Sequence, residues 1–330
     1  MCNKHQIITK NIAKEFLPKR PDIAHKYDFG HILIIAGSKY YPGAPVLATI
    51  GCLVSGCGVV SLAVPENVYP YVVAKTNPEV IVFSLPCTKE GTVGLGSLEI
   101  IIDYINTKKV NTVCVGCGLG INEETKSFVN NLIKILTSSY SNVSKELSVV
   151  IDADGFSLLE VVNKKIKSLP NKTSNLVNKN IILTPHLGEY KKLLNIQDEK
   201  FKKLKDVRDF DFCQEVQEFA KINNLVLILK SAITTISDGE YIFKTNTPNS
   251  ALAKAGSGDV LAGLIAGLIH QIKLYNTTLV KYQPLLKSAV LAVYLQQRSA
   301  EIAKDKKTEF CFLPTDIKEF IQEVFKEINK

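Results

Sequence analysis

The sequence predicts an α/β protein in three layers, a mostly parallel central sheet flanked by helices. Two patterns carry that expectation. Short apolar runs, among them His31–Ala36, Thr112–Val115, Val149–Ile151, Ile181–Thr184 and Leu225–Leu229, alternate with segments whose apolar residues recur at helical spacing, the rhythm of strand and crossover helix. The runs are also continuous rather than alternating, as expected of strands buried on both faces.

Composition narrows the class. In 330 residues, 46% hydrophobic and 22% charged, there is enough apolar material for a sizeable core. No segment approaches about 18 consecutive apolar residues, and Met1–Arg20 lacks the apolar core of a secretory signal, so a cytoplasmic chain with no membrane contact is expected. The net charge of +8 comes from scattered lysines without an Arg-rich or aromatic-interleaved block. That argues against a nucleic-acid partner and suits anionic small molecules. Eight cysteines follow no disulfide spacing and are expected to stay reduced.

In chain order, Ile7–Pro21 reads as a helix on the main body ending at Pro18 and Pro21, and residues 1–24 as an N-terminal extension of one domain spanning 25–330. The strand at His31 stops at Gly37-Ser38, and the small residues of Gly43–Gly58 read as a helix packed closely on the sheet. Val59–Val64 and Val80–Leu85 read as strands, with Pro65, Pro70, Pro78 and Pro86 marking turns. Ile100–Ile105 and Glu123–Leu136 are helical, and the strands Thr112–Val115 and Val149–Ile151 precede each a polar or Gly-rich turn. Lys164–Lys179 reads as a short helix end and a surface loop, Gln197–Arg208 as a charged connection and Phe210–Ile222 as a helix. A helix is expected from about Gly188, and a hairpin over Thr234–Ile236 and Tyr241–Phe243 turning at Asp238-Gly239. Val260–Ile269 and the stripe Leu286, Ala289, Val290, Val293 are helical, and a last helix starts at Asp316 with Glu319 completing a capping box. There is no internal repeat and no linker that argues for two domains.

Chemistry concentrates in Asn249–Gly263. Gly256 and Gly258 permit a tight turn into a helix, whose opening amides and dipole form a seat for phosphate. Asp259 at its rim is suited to take a proton from a hydroxyl attacking that phosphate, or simply to cap the helix. Gly116–Gly120, with G-x-G-x-G spacing in an internal unit, reads as a ligand-facing turn rather than a dinucleotide fingerprint. His186 and Glu189 are three apart at a helix start and read as cleft-lining groups more readily than as a zinc pair. Lys230 closes a strand beside Ser231 and Thr234, a flexible cation suited to polyphosphate. Asp152 and Asp154, or Glu123 and Glu124, are oxygen donors of the kind magnesium takes, and Cys114-x-x-Cys117 reads as structural. All but the glutamates and Cys114 fall at or just past the carboxyl ends of expected strands; one parallel sheet gathers those ends at one edge as a single nucleotide-and-substrate cleft.

Taken together, His25–Gly30, Ile35–Ser38, Gly43–Pro45, Val115–Gly120, Ile151–Asp154, Leu183–Glu189, Leu229–Ala232 and Asn249–Gly263 resemble the ADP/ATP-dependent NAD(P)H-hydrate dehydratases of the ribokinase-like superfamily. The resemblance implies a ribokinase-like fold and nucleotide-dependent dehydration of the S epimer of hydrated NADH or NADPH, a metabolite repair. It places the hydrate at Ala44, Gly118, His186 and Asp259, with Asp259 as base, and the adenine nucleotide along Lys230, Ser231, Ala232, Ile233 and Thr234 and against Gly256, Ser257 and Gly258. It further implies magnesium on the phosphates, ADP favoured over ATP, no zinc and a homo-oligomer such as a tetramer; the epimerase domain fused to the dehydratase in many bacterial members is not expected here, because the stretch before residue 25 is too short to hold it. The chain departs from the pattern at Tyr27, where the family usually has Gly, at Cys117, often Pro, and at Pro248, Ala251 and Ala255, often Gly. Two other readings stay open: a ribokinase-like kinase of a vitamin precursor or sugar, and a catalytically idle nucleotide-binding protein.

Overall fold

The computed structural model describes residues 5–138, 143, 146–162, 165–166, 169, 180–193, 212–276 and 279–330. Its elements run β1 Gln6–Ile7, α1 Lys10–Phe16, β2 His31–Ile35, α2 Ala44–Val54, β3 Val59–Pro65, α3 Tyr69–Lys75, β4 Val80–Leu85, α4 Ser97–Lys108, β5 Thr112–Val115, α5 Glu123–Thr137, β6 Ser148–Ile151 and α6 Ala153–Ser157. They continue with β7 Val161–Val162, β8 Lys165–Ile166, β9 Ile181–Leu183, α7 Leu187–Leu193, α8 Cys213–Asn223, β10 Val226–Leu229, β11 Thr235–Ser237, β12 Ile242–Lys244, α9 Ser257–Tyr275, α10 Pro284–Cys311 and α11 Ile317–Asn329.

One ten-stranded sheet has the order β1-β12-β11-β10-β9-β6-β5-β2-β3-β4. From β4 to β10 every neighbour is parallel, while β11 runs against both β10 and β12. Successive strand residues feed opposite layers. Ile32, Ile34, Cys114, Val150 and Ile182 belong to one core with α2, α9, α10 and α11, and Leu33, Ile35, Val113, Val149 and Ile181 to the other with α4, α5 and α8. That two-sided burial is why the runs read as continuous in the sequence.

The small residues of α2 have a specific use. A Cβ on Gly51 would stand 2.0 Å from the Val260 carbonyl oxygen, and one on Gly263 2.0 Å from that of Ala48. Backbone therefore meets backbone where α2 crosses α9, and the start of α9 is fixed by its first turns against α2.

Several expectations are corrected. Ile7 is not helical: β1 adds to the sheet beside β12, and the helix begins at Lys10 behind the Thr9 cap. Pro70 does not mark a turn but sits in the first turn of α3, where its missing N–H costs nothing. Asp316 is the N-cap residue of α11, as expected, but no capping box forms: its carboxylate instead accepts the Leu313 amide at 2.8 Å and the Lys307 ammonium at 3.1 Å. Lys165–Ile166 pairs antiparallel with Val161–Val162 in place of the expected helix end. The remainder of Lys164–Lys179 apart from Leu169, the connection Gln197–Arg208 and the start of the Phe210 helix lie outside the described residues. No helix among the described residues is long and apolar enough to cross a membrane.

Candidate active site

The parallel strands deliver their carboxyl ends to one edge, where a cavity of about 740 Å³ opens between the β9 and β10 ends and the first turn of α9. Its floor is an ionic knot. Asp152, 1% exposed, follows β6 and its Oδ1 accepts from Lys230 Nζ at 2.6 Å and from Thr184 Oγ1 at 2.5 Å. Because β6, β9 and β10 are adjacent, the residues after each strand are brought together; a bridge between His186 and Lys230 keeps the β9–β10 register three residues past the Leu183–Leu227 pair. Burial opposes the Lys230 charge, but the Asp152 carboxylate outweighs it and holds the ammonium above its ordinary range.

Cys117 donates to Asp152 Oδ2 at 3.8 Å. Its thiol is pushed well above the usual range by its bond to Cys114, by burial and by the charge of Asp259, so it is a neutral donor, not a nucleophile. The Asp259 carboxyl is the fifth group. Burial first, then the charge of Asp152, raise its pKa to about 7, against the opposing help of Cys117 and Lys230. A carboxylate poised there is matched to proton transfer near neutrality. Asp259 lies half-buried beside the anion seat and lines the cavity.

The anion seat forms, with one amide reassigned. Gly256 caps α9 at φ 94 without a side-chain cap. The Ser257 amide is already used on Lys254 O at 3.2 Å, so among the described residues the unbonded donors of the turn are Gly256, Gly258 and Asp259. The Ser257 hydroxyl is buried without a partner and lines the cavity. A Cβ on Gly258 would stand 3.0 Å from Lys230 Nζ, so this glycine keeps the space between the seat and the cation clear. Lys230, Ser231, Ala232, Thr234, Gly256, Ser257 and Gly258 all line the cavity. Ile233 does not: its carbonyl accepts the Ser231 hydroxyl at 2.6 Å, which shapes the turn.

His186 and Asp259 share that cavity, whereas Ala44 and Gly118 lie outside its lining. These two are neighbours, a Cβ on Gly118 falling 2.8 Å from that of Ala44, and Gly118 adjoins Cys117. His186 caps its own helix: Nδ1 accepts the Glu189 amide at 3.2 Å, Nε2 stands 3.3 Å from Glu189 Oε1, and the His186 amide donates to Glu189 Oε2 at 2.7 Å. A bonded Nδ1 acceptor fixes the tautomer with the proton on Nε2.

The expected magnesium donors disperse. Asp154 accepts the Gly120 amide at 2.9 Å, Glu124 accepts the Leu95 amide at 3.1 Å, and Glu123 is exposed beside Lys126. Cys117, Asp152 and Asp259 place ligand atoms within 4.8 Å of one another, but a protonated thiol and a carboxylate already paired to lysine do not fit a magnesium ion, which demands oxygen donors. Of the departures from the family pattern, Pro248 lines the cavity, Ala251 is buried, and Ala255 and Tyr27 are exposed. Thr184, Glu189, Thr245, Asn249, Gln296 and Gln297 complete or support the site. Their sequence signal is weak, since only their adjacency in space marks them.

Comparison with known proteins gives the family and the fold. Residues 32–323 match the family profile described as NAD(P)H-hydrate dehydratase. The chain is 33% identical over 271 residues to the bifunctional NAD(P)H-hydrate repair enzyme of Synechocystis, covering 81% of this chain and 44% of that protein. It thus spans less than half the length of that relative and of the similar Thermofilum pendens enzyme, 43% of which it covers. An ADP-dependent (S)-NAD(P)H-hydrate dehydratase of Nitrosopumilus maritimus is 29% identical over 311 residues, covering 91% of this chain and 90% of that one. In fold, the chain is similar to the Bacillus subtilis ADP/ATP-dependent NAD(P)H-hydrate dehydratase co-crystallized with ATP/Mg2+, at TM-score 0.72 and 24% identity over 98% and 99% of the two chains. A ribokinase-like superfamily protein of Enterococcus faecalis gives TM-score 0.73 at 21% identity, covering 98% of this chain and 96% of that one.

Proposed function

Because this chain belongs to the NAD(P)H-hydrate dehydratase family, we propose that it restores NADH and NADPH from their S hydrates, with ADP in preference to ATP as phosphoryl donor. The observation that carries the reading is Asp259, a carboxyl with its pKa raised to about 7, beside the unbonded amides that open α9.

In this mechanism the donor's terminal phosphoryl group rests on the Gly258 and Asp259 amides, and Lys230 offsets its charge. Asp259 takes the proton of the ring hydroxyl as that oxygen attacks phosphorus, and the bond to the departing nucleotide breaks. The ring C–O bond then cleaves with the push of the ring nitrogen's lone pair, the phosphate leaves with the bonding electrons, and the resulting iminium loses a proton from the adjacent ring carbon to the departing phosphate, which restores the reduced nicotinamide. Ala44, Gly118 and His186 are proposed to place the ring, and Lys230–Thr234 with Gly256–Gly258 the nucleotide. Magnesium is proposed to ride on the nucleotide phosphates, supplying charge neutralisation without a dedicated protein cage. We further place the enzyme in the cytoplasm as a homo-oligomer, with residues 1–24 part of one domain with 25–330.

Product analysis tests the reading. Hydrate, magnesium and ADP are expected to yield AMP, inorganic phosphate and reduced dinucleotide in equal amounts. A phosphorylated product that persists would instead identify a small-molecule kinase, and nucleotide binding without turnover an idle protein.

Two pH predictions arise here. Turnover is expected to rise with pH through a midpoint near 7, because Asp259 must be ionised to act and its pKa is raised to about 7. Cys117→Ala removes a group that lowers the Asp259 pKa, so the acid limb is expected to move up by about half a unit to one unit. Cys117→Ser, which keeps a donor, is expected to restore it. A flat profile would contradict the first prediction, and an unmoved limb the second.

A further inference from the structure

We propose that a second cavity at the same sheet edge binds the adenosine diphosphate half of the hydrated dinucleotide and selects the 2′-phosphorylated form. This rests on the functional reading above. The reaction needs two large ligands at once, whereas the cavity of about 740 Å³ is on the scale of one.

The second cavity, about 470 Å³, is lined by residues that include Lys39, Pro42, Asn67, Tyr71, Lys89 and Gly91. It begins where the proposed hydrate residues end. The loop from β2 to α2 passes from Lys39 and Pro42, in this wall, to Ala44. The Cβ atoms of Tyr41 and Ala44 stand 2.6 and 2.8 Å from where Gly118 would carry one. A dinucleotide with its nicotinamide ring at Ala44 and Gly118 has this cavity next along the edge.

The wall is built rather than incidental. The Lys39 amide donates to Gly91 O at 2.9 Å, and the Gly91 amide to Thr88 O at 2.9 Å. Gly91 has φ 76, and a Cβ there would fall 2.4 Å from Asn67 Nδ2 and 2.8 Å from Lys39 Cβ. The missing side chain lets the carboxamide and the lysine stem converge. Among the described residues the side chains of Lys39, Lys89 and Asn67 have no hydrogen-bond or ion-pair partner. The nearby Glu66 carboxylate accepts the Cys87 thiol at 3.6 Å. Tyr71 leaves 49% of its surface exposed, an aromatic face on which a purine can stack. Two unpaired ammonium groups and an amide donor are the chemistry that receives phosphate. A 2′-phosphate carries roughly 1.5–2 more negative charges than a hydroxyl.

The test is fluorescence titration of NADPH and NADH, together with KM for both hydrates and for ADP, on wild type, Lys39→Glu, Lys89→Glu and the double variant. Both lysines are exposed, so folding should be unaffected. In the double variant NADPH affinity is expected to fall about tenfold or more and NADH affinity no more than about threefold, with KM for NADPHX rising in parallel and kcat and KM for ADP unchanged. Affinities that do not move, fall equally for both dinucleotides or fall for ADP overturn the proposal. Wild-type protein that binds NADPH yet dehydrates nothing would refute the functional reading while leaving this titration decisive for the cavity.

Discussion

Asp259→Asn is expected to lower turnover by about 10²–10⁴-fold, the range of a positioned acid–base group, while leaving ADP affinity within about threefold. The same variant should be more stable than wild type at pH 8. The sign follows from linkage. Asp259 has a folded pKa of about 7 against about 3.9 for an unfolded aspartate, so the folded state binds its proton more tightly. The stability this provides is complete below about pH 4 and is lost as pH rises through about 7. Above that, the ionised carboxylate costs on the order of 3–4 kcal/mol, which a neutral Asn avoids. Denaturant unfolding should therefore show a gain on the order of 2–4 kcal/mol at pH 8 that vanishes toward pH 4. If Asp259 were only a helix cap, Asn would be nearly neutral at every pH, since Asn and Asp cap equally well. The capping residue Gly256 has no side chain to bond the opening amides, so the turn is left open for a ligand.

Lys230→Met is expected to have the next largest effect, in two separable parts. It leaves Asp152, 1% exposed, with only the Thr184 hydroxyl and the Cys117 thiol, and breaking such a buried pair costs about 3–5 kcal/mol. It also removes the cation beside the anion seat, so KM for ADP should rise about tenfold or more. With that cation gone the Asp259 pKa loses one of the groups that lower it, and the acid limb of turnover should move above 7. Pairing Lys230→Met with Asp152→Asn neutralises the stranded charge. The double variant is expected to recover most of the stability and none of the nucleotide affinity. Recovery of both would mean that Lys230 serves only the fold.

Much of this architecture was legible because each central strand is buried on both faces and so reads as an unbroken apolar run; Leu33 and Ile34, facing opposite cores, are the clearest case. The turn after β5 and the start of α9 announced themselves through glycines. What escaped was whatever depends on strand order. Asp152 and Lys230 are 78 residues apart, and nothing local says that β6, β9 and β10 are neighbours. Asp152 therefore read only as one of four oxygen donors eligible for magnesium, and its actual partners, lysine, threonine and thiol, went unseen. Helix α3 was hidden by Pro70, which breaks a helix interior but is tolerated in a first turn. The two-residue β1 was too short to show a period and exists because β12 offers an edge.

The most direct test of the account is to incubate the purified chain with S-hydrated NADH, magnesium and either ADP or ATP, and to follow the near-ultraviolet absorbance of the reduced nicotinamide. Absorbance should return only when nucleotide is present, faster with ADP, and not with Asp259→Asn. No return with either nucleotide would contradict the central claim.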